Sequence, residues 1–221
     1  VLEHLRLRYN YLLHDEIRLI GAESVPQNYP VDDLVIPKQI TFDAPDGLEI
    51  HVIWFEKEGG SKRKPAILYV HGGPSRQMLL GWHYSSYYAN AYATNQYLAS
   101  LGFIVIAVNY RLGIGYGYDF QYPLDAGWRG ASEYQDIKAA GEWLANHPAV
   151  DPDRIGIYGG SYGGYLTAMA LAKDSDLFAV GVDIHGAHDI SVGRIQNVAC
   201  PDRYEKAPDF SDVPEVMWKS S

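Results

Sequence analysis

The distribution of apolar and polar positions changes character along the chain. Leu5 to Leu13, "LRLRYNYLL", alternates large apolar and polar residues, and "EIRLIG" follows after a short "HDE", a pattern that predicts a two-stranded hairpin. The polar, proline-bearing "ESVPQNYPVDD" then reads as a linker. From Pro37 onward the pattern becomes strand, strand, then alternating strand and helix. "KQITFDA" and "LEIHVIWFEK" flank Asp46-Gly47, a hairpin turn signal. "PAILYVHGG", "FIVIAVNY", "DPDRIGIYGG" and "LFAVGVDIHG" are continuous apolar runs, each short enough for a buried strand. Between them, helices are predicted over Tyr87 to Leu101, over Ser132 to Asn146 with Ile137, Gly141 and Leu144 on one face, and over the Ala-rich Tyr162 to Lys173. Continuous apolar strands separated by helices imply an α/β fold, a mostly parallel sheet with helices on both faces.

Composition narrows the function classes. The 221 residues are 47% hydrophobic and 20% charged, as in a globular protein with a sizeable core. A net charge of −9 without any Lys/Arg-rich run argues against nucleic acid as a partner. The one cysteine, Cys200, excludes an internal disulfide. No apolar run approaches the roughly 20 residues of a membrane span. The sequence starts at Val1 and lacks a signal-peptide pattern, and the missing initiator Met suggests a processed or excised piece. The compartment stays open between cytoplasmic and periplasmic or secreted.

Candidate chemistry gathers around Ser161. Gly159-Gly160-Ser161-Tyr162-Gly163 is a G-x-S-x-G at a predicted strand–turn–helix junction, where a sharp turn raises the serine hydroxyl above the carboxyl end of a sheet. The following helix would offer N–H donors and a positive dipole end to a developing oxyanion. "YVHGGP", Tyr69 to Pro74, ends an earlier core strand, so the N–H groups of Gly72 and Gly73 are candidates to face Ser161 across the crevice. The bland alternatives are a glycine-rich turn with an inert serine and a plain Gly-Gly-Pro turn.

Taken together, His71-Gly-Gly-Pro74, Asn109-Tyr-Arg111 with "GIGYGYDF", "DPDRIGIYGGSYGGY" and "VDIHGAHD" resemble the catalytic domain of the prolyl oligopeptidase family of serine peptidases, nearest the acylaminoacyl peptidase and dipeptidyl peptidase IV branches. The likeness runs from about Pro37 to the C-terminus. It implies an α/β-hydrolase domain over residues 37–221, with residues 1–36 as the end of a β-propeller-like domain. It further implies Ser161 as nucleophile, the N–H groups of Tyr162 and Gly73 as oxyanion hole, short peptides as substrates, an acyl-enzyme intermediate, and no metal or other cofactor.

A serine nucleophile needs a base and an orienting acid, which in this fold follow it along the chain. Only one further strand is predicted after Ser161, and no histidine follows His188. The expectation is therefore a domain incomplete at its C-terminal edge, carrying the nucleophile without the Asp and His, inactive alone and with an aggregation-prone edge strand. Missing propeller and C-terminal segments, or an oligomer, would be its partners. Alternatives are a rescue triad from His185 and Asp189, a silent peptide-binding scaffold, and an esterase. His185 and His188 as a metal pair lack a third ligand, and His71 reads as a loop anchor. Gly113-Ile-Gly115-Tyr-Gly117 is rejected as a dinucleotide fingerprint because Tyr118 stands where the third glycine belongs and no helix is expected there. Tyr116 and Arg111 are candidate substrate-cleft residues, as are the tyrosines between Trp82 and Tyr97. Arg76 and Arg111 are candidates to meet a substrate carboxylate, with solvent or an internal carboxylate as the alternative. Asp136 and Trp128-Arg129-Gly130 read as supporting structure.

Overall fold

A computed structural model describes residues 7–9, 18–20, 25–127 and 130–188, with side chains from residue 25 onward. Strands β1 (Leu7–Tyr9) and β2 (Arg18–Ile20) pair antiparallel with Leu7 opposite Ile20, where alternation predicted a hairpin. The expected linker does not run free. Val35 exchanges both backbone groups with the side-chain amide of Gln96, and Tyr29 meets Trp82 edge-on.

The Asp46-Gly47 turn joins β3 (Lys38–Asp43) to β4 (Glu49–Phe55), with Gly47 in the left-handed region that favours glycine, φ 83°. These strands belong to a six-stranded sheet completed by β5 (Lys64–Val70), β6 (Ile104–Asn109), β7 (Val150–Gly160) and β8 (Val180–Ile184). Spatial order is β3-β4-β6-β5-β7-β8. β4 is antiparallel to both its neighbours and the remaining pairings are parallel, so β4 alone runs against the other five strands. The sheet is mostly parallel, with one reversed strand.

Both faces are buried because both carry apolar side chains. On one face Ile53, Phe55, Tyr69, Val105 and Ala107 pack against Tyr88, Tyr92 and Ala99 of α1 (Ser86–Ser100). On the other, Val52, Leu68, Val70, Ile106 and Val108 share a core with residues of α3 (Ser132–Asn146) and α4 (Tyr162–Lys173). Gly141 of α3 lets Phe178 and Leu177 lie close, at 2.7 and 2.8 Å from where a Cβ would sit. Docking of Phe178 there explains why the run predicted from Leu177 becomes a strand only at Val180.

A single helical turn, α2 (Tyr118–Gln121), does open where none was expected. Tyr118 still occupies the third glycine's position, so the dinucleotide reading stays rejected. β8 forms the edge of the described sheet. Its Val180, Val182 and Ile184 are 56%, 53% and 42% exposed, in contrast to the buried apolar residues of β5 to β7. Among the described residues no helix is long and apolar enough to cross a membrane. Trp128, Arg129, Asp189 and Cys200 lie outside the described residues.

Candidate active site

β7 ends at Gly160 and α4 begins at Tyr162, leaving Ser161 alone in the turn. Its backbone takes φ 57° and ψ −120°, a combination costly to a residue with a Cβ. The turn is tied at both ends: Ser161 N–H donates to the Ile184 carbonyl of β8 at 3.0 Å, and its carbonyl accepts from Tyr165 N–H at 3.0 Å, opening α4. The side chain is exposed, and among the described residues no hydrogen bond holds its hydroxyl.

The crowding of glycines around Ser161 follows from what surrounds the turn. A methyl at Gly163 would collide with the Val70 carbonyl oxygen at the end of β5, and one at Gly160 with the Tyr87 hydroxyl. Strand β5, helix α4 and the turn approach at backbone distance. That closeness carries the loop after β5 to Ser161. A Cβ on Gly72 would stand 3.1 Å from Ser161 Cβ and 2.5 Å from the Gly160 carbonyl oxygen.

The Gly72-Gly73 peptide is held in one orientation. The Tyr88 hydroxyl donates to the Gly72 carbonyl at 2.8 Å. In a trans peptide the next N–H points the opposite way, so the Gly73 N–H is directed away from Tyr88. Tyr162 N–H belongs to the first turn of α4, whose donors lack partners within the helix. The structure thus places Gly72 hard against Ser161, with Gly73 one residue further along at φ 51°.

His71 is an anchor. It is fully buried, stacks on Tyr110 with ring centroids 4.3 Å apart, and its Nδ1–H donates to the Gly72 carbonyl at 3.2 Å. Burial lowers its pKa to about 4, so the ring is neutral near pH 7. The Tyr110 hydroxyl donates to the His71 carbonyl at 2.8 Å, fixing the same loop from below.

The two histidines after β8 do not converge. His185, at φ 48°, meets the Tyr87 hydroxyl at 3.3 Å through Nε2, whereas His188 Nε2 contacts Asp183 Oδ2 at 2.5 Å. Asp183 Oδ1 accepts from Gly186 N–H at 2.8 Å. None of these groups hydrogen-bonds Ser161, and the Asp189 of the rescue triad lies outside the described residues.

Arg111 requires a correction. It does not line a cleft: it is 3% exposed, and its guanidinium is occupied by two carboxylates. Nη2 donates to buried Asp136 Oδ1 at 2.6 Å and Nη1 to Asp46 Oδ2 at 2.7 Å. Asp136 also accepts the Arg111 N–H at 2.8 Å. The internal-carboxylate alternative is the one realised, and it clamps the β3–β4 turn to α3. Tyr116 is half-buried at the same end of the sheet, stacked on His51 at 4.1 Å, with its hydroxyl accepting from Asn109 Nδ2 at 2.9 Å. Of the tyrosines near α1, Tyr88 and Tyr92 are core, while Tyr84 and Tyr87 are exposed.

Two supports escaped the sequence reading. Fully buried Glu133 accepts from the Tyr162 hydroxyl and, at 2.9 Å, from Gly127 N–H, steadying the residue after Ser161. Tyr87 packs over Gly160 on the other side. Glu133 lies 29 residues from Tyr162, Tyr87 is further still from Gly160, and no local spacing signals such pairs.

Comparison with known proteins identifies the family. The sequence profile of the prolyl oligopeptidase family matches residues 89–221. Dipeptidyl aminopeptidase BIII of Pseudoxanthomonas mexicana is 38% identical over 127 residues, 58% of this chain and 17% of that protein. Among solved structures, the Pyrococcus horikoshii acylaminoacyl peptidase superposes with a TM-score of 0.55 at 34% identity, over 69% of this chain and 23% of the other. A puromycin-hydrolyzing peptidase of Mycobacterium tuberculosis reaches 0.67 at 27% identity, over 79% and 26%. The chain therefore spans about a sixth to a quarter of the length of the proteins it matches. With its strained serine turn between β7 and α4 and its profile match over more than half its length, the chain belongs to the prolyl oligopeptidase family of peptidases.

Proposed function

We propose that Ser161 is the nucleophile of a serine peptidase that cleaves short peptides through an acyl-enzyme. The observation that carries this reading is the backbone of Ser161, φ 57° and ψ −120° at the carboxyl end of a central strand, with Gly72 packed against it. A strained, exposed serine beside a glycine loop is costly as mere structure and useful as a nucleophile. Ser161 Oγ attacks the scissile carbonyl carbon, and its proton passes to a base. The carbonyl oxygen becomes an oxyanion held by the N–H groups of Tyr162 and Gly73. Collapse expels the amine with that proton, and water then releases the acyl group. His71, His185 and His188 are all engaged elsewhere, so the reading assigns the base to none of them as placed. It treats residues 37–221 as part of the hydrolase domain and residues 1–36 as the end of a propeller-like domain.

Fluorophosphonate labelling of the 221-residue chain, with Ser161→Ala as control, is the test. Labelling that depends on Ser161 supports an activated nucleophile and shows that a base reaches it. Folded protein without labelling means that the nucleophile stands without its base and the activity belongs to a longer chain, whereas peptide binding unchanged in Ser161→Ala, without cleavage, favours a silent binding scaffold. Labelling with turnover of acyl esters but not peptides would replace peptidase by esterase.

A further inference from the structure

Two arginines stand at the carboxyl ends of the central strands, and their situations differ. Arg111 is buried and neutralised by Asp136 and Asp46. Arg76 is exposed, and among the described residues no carboxylate pairs with it. Its Nη1 donates to the Ser75 carbonyl at 2.9 Å, and its Nε lies 3.9 Å from where a Cβ on Gly73 would sit. The guanidinium therefore borders the loop whose neighbouring residue, Gly72, abuts Ser161.

The backbone of Arg76 is fixed. Its carbonyl accepts from Ile114 N–H at 3.1 Å. Two residues on, Met78 N–H donates to Asn109 Oδ1 at 2.6 Å, and Asn109 Nδ2 returns a bond to the Met78 carbonyl. The cation is thus presented from a rigid segment. Burial first, and the nearby Arg76 charge to a lesser degree, hold His71 and His83 below their ordinary pKa. In a protein of net charge −9 the long-range field disfavours anions, so a cation that no described carboxylate neutralises selects locally. The anion that a peptide substrate carries is a carboxylate, which a planar guanidinium can bind through two parallel hydrogen bonds.

We infer that Arg76 is a specificity-determining residue that binds a carboxylate of the peptide substrate, one or two residues from the bond presented to Ser161. The inference rests on the reading of Ser161 as nucleophile. The carboxylate is either the free C-terminus or an Asp or Glu side chain.

Binding to the Ser161→Ala chain, which leaves peptides intact, tests it. Two pairs of fluorescent tetrapeptides are compared: C-terminal carboxylate against carboxamide, and internal Asp against Asn. For the exposed guanidinium, roughly three- to tenfold tighter binding of one charged member is expected at low salt, shrinking as salt rises. Whichever pair shows the preference identifies the source of the carboxylate. Arg76→Gln should abolish it without lowering the melting temperature, and Arg76→Lys should restore part of it. Equal affinities within both pairs, a preference surviving Arg76→Gln, or no binding of any peptide at millimolar concentration would overturn the inference. Labelling of Ser161 by a neutral fluorophosphonate reports separately on the nucleophile. Labelling without charge preference sinks the role of Arg76 alone, whereas preference without labelling keeps the anion subsite and says that Ser161 has no base in this chain.

Discussion

Gly72 is the residue that brings one loop of this fold against Ser161: a side-chain carbon added there would lie 3.1 Å from Ser161 Cβ and 2.5 Å from the Gly160 carbonyl oxygen. Neither neighbour can rotate away, since one is backbone and the other is fixed by the turn. Gly72→Ala is therefore expected to displace the loop, lowering stability by about 1–3 kcal/mol and, where the chain labels at all, slowing Ser161 labelling. Chemical denaturation and labelling kinetics on the same sample check both. Unchanged values would mean that the loop yields.

Ser161 itself carries strain that glycine would relieve. Ser161→Gly should be more stable than Ser161→Ala by about 1–2 kcal/mol, although both lose labelling, because only glycine adopts φ 57° with ψ −120° at little cost. At an ordinary helix boundary glycine and alanine would differ by less, so equal stabilities would count against a strained turn.

The Arg111–Asp136 pair is buried on both sides. Removing one partner strands the other's charge, so Arg111→Met or Asp136→Asn should each cost about 3–5 kcal/mol. The double replacement should cost less than the sum, as a double-mutant cycle in urea would show. Asp46→Asn, at a half-exposed partner, should cost under about 1 kcal/mol.

His71 gives a pH dependence whose sign is fixed by its environment. Its pKa is lowered to about 4 in the fold, against about 6.5 in an unfolded chain. Between these values the unfolded state binds the extra proton, so stability rises with pH. The contribution is complete above pH 6.5 and is lost as pH falls toward 4, amounting to up to about 3 kcal/mol. His71→Phe should flatten this part of the stability–pH curve. His83 and His147, also lowered by burial, contribute with the same sign and remain in the variant, so the difference between the two curves isolates His71.

The position of β8 at the edge of the described sheet sets a further expectation. Val180, Val182 and Ile184 present an apolar, half-exposed row on an edge strand, a template for pairing with another chain. Analytical ultracentrifugation of the 221-residue chain should show self-association that rises with concentration and falls in Val182→Lys. A monomer at every concentration would show that this row is not sticky.

Much of this protein is decided by local patterning. Three of the continuous apolar runs form strands buried in the sheet, β5, β6 and β7, and α3 and α4 fall where helical periodicity and the serine turn put them. The glycines around Ser161 announce a close backbone approach, because no other residue lacks a Cβ. Tertiary structure alone determined what approaches. Val70 and Tyr87 explain Gly163 and Gly160, and Glu133 holds Tyr162 from a different helix. It also separated two arginines that look alike in sequence. Arg111 lost its freedom because burial demands a counter-charge, supplied by Asp136 from α3 and Asp46 from the β3–β4 turn. Arg76 kept its charge at the surface beside Gly73. Composition and spacing determine which residue types are present, but which charges are neutralised depends on contacts between residues far apart in the chain.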